Sequence, residues 1–125
     1  MSSNQLFEIK RILIPYDFSE TAALSLEHAV FMAKLLKADI YLLHILESVS
    51  FTSAFGAAFG NVDKKLESES NTKLDEIGKQ IHMNNGITVK SITEVGRIYR
   101  KIVDVAKREN IDIIIMGTHG VSGYK

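Results

Sequence analysis

The chain has 125 residues, 46% of them hydrophobic, with fifteen Lys plus Arg against fifteen Asp plus Glu. A chain of that length buries one core and seldom two, and zero net charge gives no field that would draw it to nucleic acid or anionic lipid. The absence of cysteine excludes disulfides, thiolate nucleophiles and sulfur-ligated zinc, and Met1 to Lys10 contains no apolar run suited to a signal peptide or membrane span, so a cytoplasmic protein is expected.

Ile12 to Tyr16 is almost uninterruptedly apolar, the pattern of a central parallel strand covered on both faces. Pro15 lacks an N–H and suits the end of that strand, which places Asp17 just beyond it. Ala22, Leu26, Ala29, Val30, Ala33 and Leu36 form one helical stripe, with Ser19 in front as N-cap. Ile40 to Leu46 is the second strand. The segment 51–60 follows, with Phe51, Phe55 and Phe59 four apart among small residues. Its two glycines argue against a rigid helix, which leaves a tucked-in patch, a flap over a ligand or a contact surface.

A second helix is expected from about Asp63 to Met83 on the sparse set Leu66, Leu74, Ile77 and Ile81, ending before Asn84-Asn85-Gly86. Ile87 to Thr93 partly alternates, as on a sheet edge. The third helix, Arg97 to about Glu109, turns Ile98, Ile102, Val105 and Ala106 inward and leaves Arg100, Lys101, Lys107 and Arg108 outside, with Asn110 as its stop. Ile111 to Met116 reads as another central strand. Strands alternating with helices predict an α/β fold, a Rossmann-like three-layer sandwich on a parallel sheet with right-handed crossovers.

Ligands of such sheets bind outside the carboxyl ends of the strands. The candidates there are Pro15, Tyr16 and Asp17 after the first strand, His44 and Ile45 at the end of the second, and Met116, Gly117, His119, Gly120, Ser122 and Gly123 after the fourth. The Asp17 carboxylate can accept from a ligand hydroxyl or help Ser19 cap the first helix. The three glycines can bring N–H groups to an anion or serve only the turn. Their spacing is neither the Walker pattern nor the dinucleotide fingerprint. Asp17, His44 and His119 on one rim permit a metal or proton-transfer reading, and Ser19 or Ser122 with a histidine lacks the nucleophile elbow of a hydrolase. His28 and His82 read as solvated or capping residues.

The blocks Arg11-Ile-Leu-Ile-Pro-Tyr-Asp-Phe-Ser-Glu20, Leu42-Leu-His44, Gly96 with Ile102, and Asp112-Ile-Ile-Ile-Met-Gly-Thr-His-Gly120, in that order, resemble the universal stress protein family. The resemblance runs from about Lys10 to the last residue and implies the sheet order 3-2-1-4. In the nucleotide-binding branch it implies ATP, with Mg²⁺ on its phosphates, held by Asp17 at the ribose, Ile45 backbone at the adenine, and Gly117 and Gly120 at the phosphates. The family's phosphate signature is Gly-x-x-Gly, nine residues, then Gly and Ser or Thr; its second half would fall past Lys125. Residues 1–125 are therefore expected to be one such domain cut at its C-terminus, without the family's fifth strand. Its fourth strand would then present a hydrophobic edge to a second copy or a tandem domain.

The expected function is a stress-response or regulatory protein that binds an adenine nucleotide. The alternative is a dimeric interaction module of the same family that binds none. Slow ATP hydrolysis ranks below both, since neither a Walker lysine nor a defined general base is visible. A phosphoacceptor receiver would need more acids beside Asp17.

Overall fold

A computed structural model describes residues 8–47 and 54–117, with 54–63 described as backbone. In chain order the elements are β1 (Arg11–Pro15), α1 (Glu20–Leu36), β2 (Asp39–Leu46), α2 (Ala54–Asn85), β3 (Val89–Val95), α3 (Ile98–Arg108) and β4 (Ile113–Ile114). The strands form one sheet in the order β3-β2-β1-β4, with every pairing parallel. This is the expected α/β sandwich and the expected order.

Alternation along the strands divides the core in two. Ile12, Ile14, Ile40 and Leu42 point to the face covered by Leu26, Ala29 and Ala33 of α1 and by Leu74 and Ile81 of α2. Leu13 and Leu43 point to the other face, under Ile102 and Val105 of α3. Ile12, Leu13, Ile14, Ile40, Leu42 and Leu43 are fully buried. That explains why β1 and β2 read as continuous apolar runs: each carries side chains into both cores.

Four expectations change. Helix α2 begins at Ala54, not near Asp63, and runs through Gly56 and Gly60. Glycine costs a helix only about 1 kcal/mol per residue, and an established helix propagates through it. Of the phenylalanine stripe, Phe51 lies outside the described residues. The third strand starts two residues later than the apolar pattern suggested and extends to Val95, because its ladder follows β2 from Ile40↔Val89 to Leu46↔Val95. The fourth strand is two residues long and pairs with β1 alone among the described residues, so it lies at an edge and leaves Ile114 40% exposed. Leu36 and Leu66, placed on inner stripes, are exposed.

The first helix starts as its sequence indicates: the Ser19 Oγ accepts from the Ala22 N–H at 3.1 Å. Lys37 ends it in the left-handed region, and Asn110, the expected stop of the third helix, takes the same conformation at φ 56°. Among the described residues no helix is long and apolar enough to cross a membrane.

Candidate functional site

The carboxyl end of the sheet holds a cavity of about 540 Å³. Its wall includes Pro15, Tyr16 and Asp17 from β1, His44 and Ile45 from β2, and Met116 and Gly117 after β4. All seven described residues singled out at the strand ends are thus gathered at one opening. His119, Gly120, Ser122 and Gly123 lie outside the described residues. The parallel register makes this happen: Pro15 pairs with Leu43, and β4 leaves the sheet on the other side of β1, so the loops emerge side by side.

Local bonds fix this rim. The Tyr16 N–H extends the ladder by one bond to the Leu43 carbonyl at 2.8 Å. The His44 Nδ1–H donates to the Tyr16 carbonyl at 2.8 Å, an assignment that follows because a carbonyl can only accept. Neutral His44 therefore carries its proton on Nδ1 and keeps Nε2 as an acceptor. The Asp17 Oδ1 accepts from the Ser19 N–H at 3.0 Å. This aspartate braces the turn into α1 and is among the residues that line the cavity. The Tyr16 phenol is pushed above its ordinary value, by burial first and by the Asp17 charge second. It therefore stays neutral well into the alkaline range.

Between Asp17 and Ser19 the backbone makes an unusual turn. Phe18 has φ 64°, a conformation that bulky residues rarely adopt. Its ring is held edge-on by Tyr16 at 5.2 Å and His44 at 4.8 Å between centroids, and Lys73 Nζ of α2 lies 5.8 Å above it. The ring packing offsets the local strain.

On the opposite side Gly117 is a close-approach glycine. A Cβ there would collide with the Thr21 Cγ2 and stand 2.9 Å from the Ser25 Oγ. The first glycine of the loop after β4 is therefore needed by helix packing, whatever else its N–H does. Sequence reasoning missed Thr21, Leu43, Ile98 and Tyr99, which also line the cavity. Tyr99 is 74% exposed and follows Gly96 by three residues, but nothing in the local pattern marks it. Phe18 lay within the family-like block without being chosen.

The His44 Nδ1 is engaged by backbone, which leaves Nε2 as the ring nitrogen that a metal or proton transfer would use, and His119 lies outside the described residues. Among the described residues no group of three or more histidine, aspartate or glutamate side chains could hold a metal. Elsewhere, the His82 Nδ1–H donates to the Ile87 carbonyl at 2.8 Å, which ties the end of α2 to the approach of β3, while His28 is exposed on α1.

A sheet of order 3-2-1-4 with a cavity at its strand ends is the frame the four sequence blocks suggested, and the universal stress protein family model matches residues 8–125. The chain belongs to the universal stress protein family. It is 35% identical to the universal stress protein MJ0577 of Methanocaldococcus jannaschii, an alignment that takes in 93% of this chain and 80% of that protein. The solved structure of MJ0577 superposes with a TM-score of 0.78 over 90% of this chain and 76% of that one. UspA of Lactobacillus plantarum, at 21% identity, shares the fold with the same TM-score, over 90% of this chain and 81% of that one. A family member from Arabidopsis thaliana, solved with AMP bound, shares it at 15% identity and a TM-score of 0.65, over 89% and 78% of the two chains.

Proposed function

We propose that this universal stress protein binds an adenine nucleotide in the cavity at the carboxyl ends of β1, β2 and β4, and acts in the cytoplasm as a nucleotide-responsive regulator. The observation that carries the reading is the convergence of Asp17, Ile45, Met116 and Gly117 on one opening of about 540 Å³. An apolar wall with a few placed polar groups suits a base and ribose. Asp17 accepts from a ribose hydroxyl, Ile45 backbone meets the adenine, and Gly117 with Gly120 receives the phosphates. The AMP-bound Arabidopsis relative supports the ligand class.

The nucleotide in this reading is ATP, with Mg²⁺ on its phosphates. Asp17 is the one acid among the described lining residues, and Mg²⁺ is commonly held by one carboxylate, waters and substrate phosphates. The donor set fits an ion that arrives with the nucleotide.

Calorimetric titration of ATP and Mg²⁺ tests this. Binding is expected, and Asp17→Ala is expected to weaken it about ten- to a hundredfold, the range for a lost charge-assisted hydrogen bond. Unchanged affinity in that variant would remove Asp17 from the site. No heat from the parent protein would favour the second reading, an interaction module that pairs with another copy or a tandem domain; the exposed Ile114 and Met116 beside β4 support that reading.

A further inference from the structure

Tyr16, His44 and Tyr99 are the ring-bearing side chains among the described residues that line the cavity at the carboxyl end of the sheet. The first two are committed to each other. Tyr16 and His44 both pack edge-on against Phe18, and the His44 ring is bonded to the Tyr16 carbonyl. Tyr99 differs: it is 74% exposed, and among the described residues it meets no other ring and no cation. A lone tyrosine on an open surface needs no explanation, but this one borders a cavity. Backbone bonds fix its place. The Gly96 N–H donates to the Leu46 carbonyl at 3.0 Å and the Lys101 N–H to the Arg97 carbonyl at 2.9 Å, which ties the first turn of α3 to the end of β2, the strand that carries Ile45. Ile45 and Ile98, the neighbour of Tyr99, pack in one cluster. Gly117 follows β4, which lies across β1 from β2.

We infer that Tyr99 is a specificity-determining residue of this cavity, its ring stacking on the base of the bound nucleotide at the Ile45 side. This role rests on the adenine-nucleotide reading of the cavity and adds to it a residue and a base preference. A tyrosine ring stacks on any flat base, and a purine, with two fused rings, covers more of it than a pyrimidine does. The stack excludes water from one face of the base while the phenol O–H stays in solvent, so no polar group is buried without a partner. The phosphates, received at Gly117, lie away from the ring.

Calorimetric titration of ATP, CTP and inorganic tripolyphosphate into the parent protein and three variants tests this. Tyr99→Ala is expected to weaken ATP about tenfold and CTP by less, so the purine preference narrows. Tyr99→Phe keeps the ring and is expected to bind ATP as the parent does. Tyr99→Leu keeps apolar bulk without a ring and is expected to fall with the alanine variant. Tripolyphosphate, which has no base, is expected to behave alike in parent and Tyr99→Ala, and the urea midpoint of this exposed position is expected to stay unchanged. Parent-like ATP affinity in Tyr99→Ala or Tyr99→Leu would overturn the inference. So would a difference between parent and Tyr99→Ala in tripolyphosphate affinity, which marks a general disturbance of the site. Failure of the nucleotide reading looks different: the parent then gives no heat with ATP, and both proposals fall together. If the parent binds and Asp17→Ala weakens it while Tyr99→Ala does not, the stacking role alone is overturned.

Discussion

The two ends of the sheet are built differently. At the amino end the strands are tied shut. The Asp112 Oδ2 accepts from the N–H groups of Lys10 and Arg11 at 2.8 and 2.9 Å, and the Asp39 and Asp112 N–H groups donate to the Lys10 and Arg11 carbonyls. Lys90, Glu109 and Arg108 form a surface ion-pair cluster beside them. At the carboxyl end the residues just past β1, β2 and β4 line a cavity, and Phe18 is held at φ 64° next to Asp17. Functional residues are disproportionately carried on loops that a rigid scaffold positions.

The sharpest way to break this contrast is Gly117→Val. The new side chain meets Thr21 and Ser25 at the open end, and overpacking there is expected to cost about 3 kcal/mol in urea unfolding while shutting the cavity. At the closed end, Asp112→Ala removes two backbone partners and is expected to cost about 1–2 kcal/mol. It should leave nucleotide affinity unaltered, which separates the two ends functionally. Ser19→Ala takes away the cap of α1 and is expected to cost about 1 kcal/mol. Ser19 also lines the cavity, so a modest loss of nucleotide affinity is expected alongside it.

The smallest effect is one of pH. Burial disfavours the Glu109 charge, but hydrogen bonds from Lys90 and Arg108 outweigh it and hold this carboxyl below its ordinary value. The native pKa is the depressed one, so the stabilisation is complete above the unfolded value of about 4.3 and is lost as pH falls through the native value. Glu109→Gln is expected to remove about 0.5 kcal/mol of that acid-sensitive stability in unfolding curves compared at pH 7 and pH 3.

Much of the architecture was legible because buried parallel strands advertise themselves: Ile12 to Ile14 and Ile40 to Leu43 are apolar at every position and are buried or nearly so. The rim residues were legible by topology, since any residue just past such a strand must reach the ligand end. What was hidden depends on contacts between distant residues. Nothing local reveals that Thr21 and Ser25 press on Gly117, that Tyr99 borders the cavity, or that the Phe18 ring leans on His44. The length of α2 was hidden for another reason, as Gly56 and Gly60 lower helix propensity without preventing the helix.

The most direct test of the account is amide chemical-shift mapping while ATP and Mg²⁺ are titrated into the protein. Shifts at Asp17, Ile45 and Gly117, with Lys10, Asp39 and Asp112 unmoved, are the predicted result. Shifts confined to the amino end of the sheet, or none at saturating nucleotide, would contradict it.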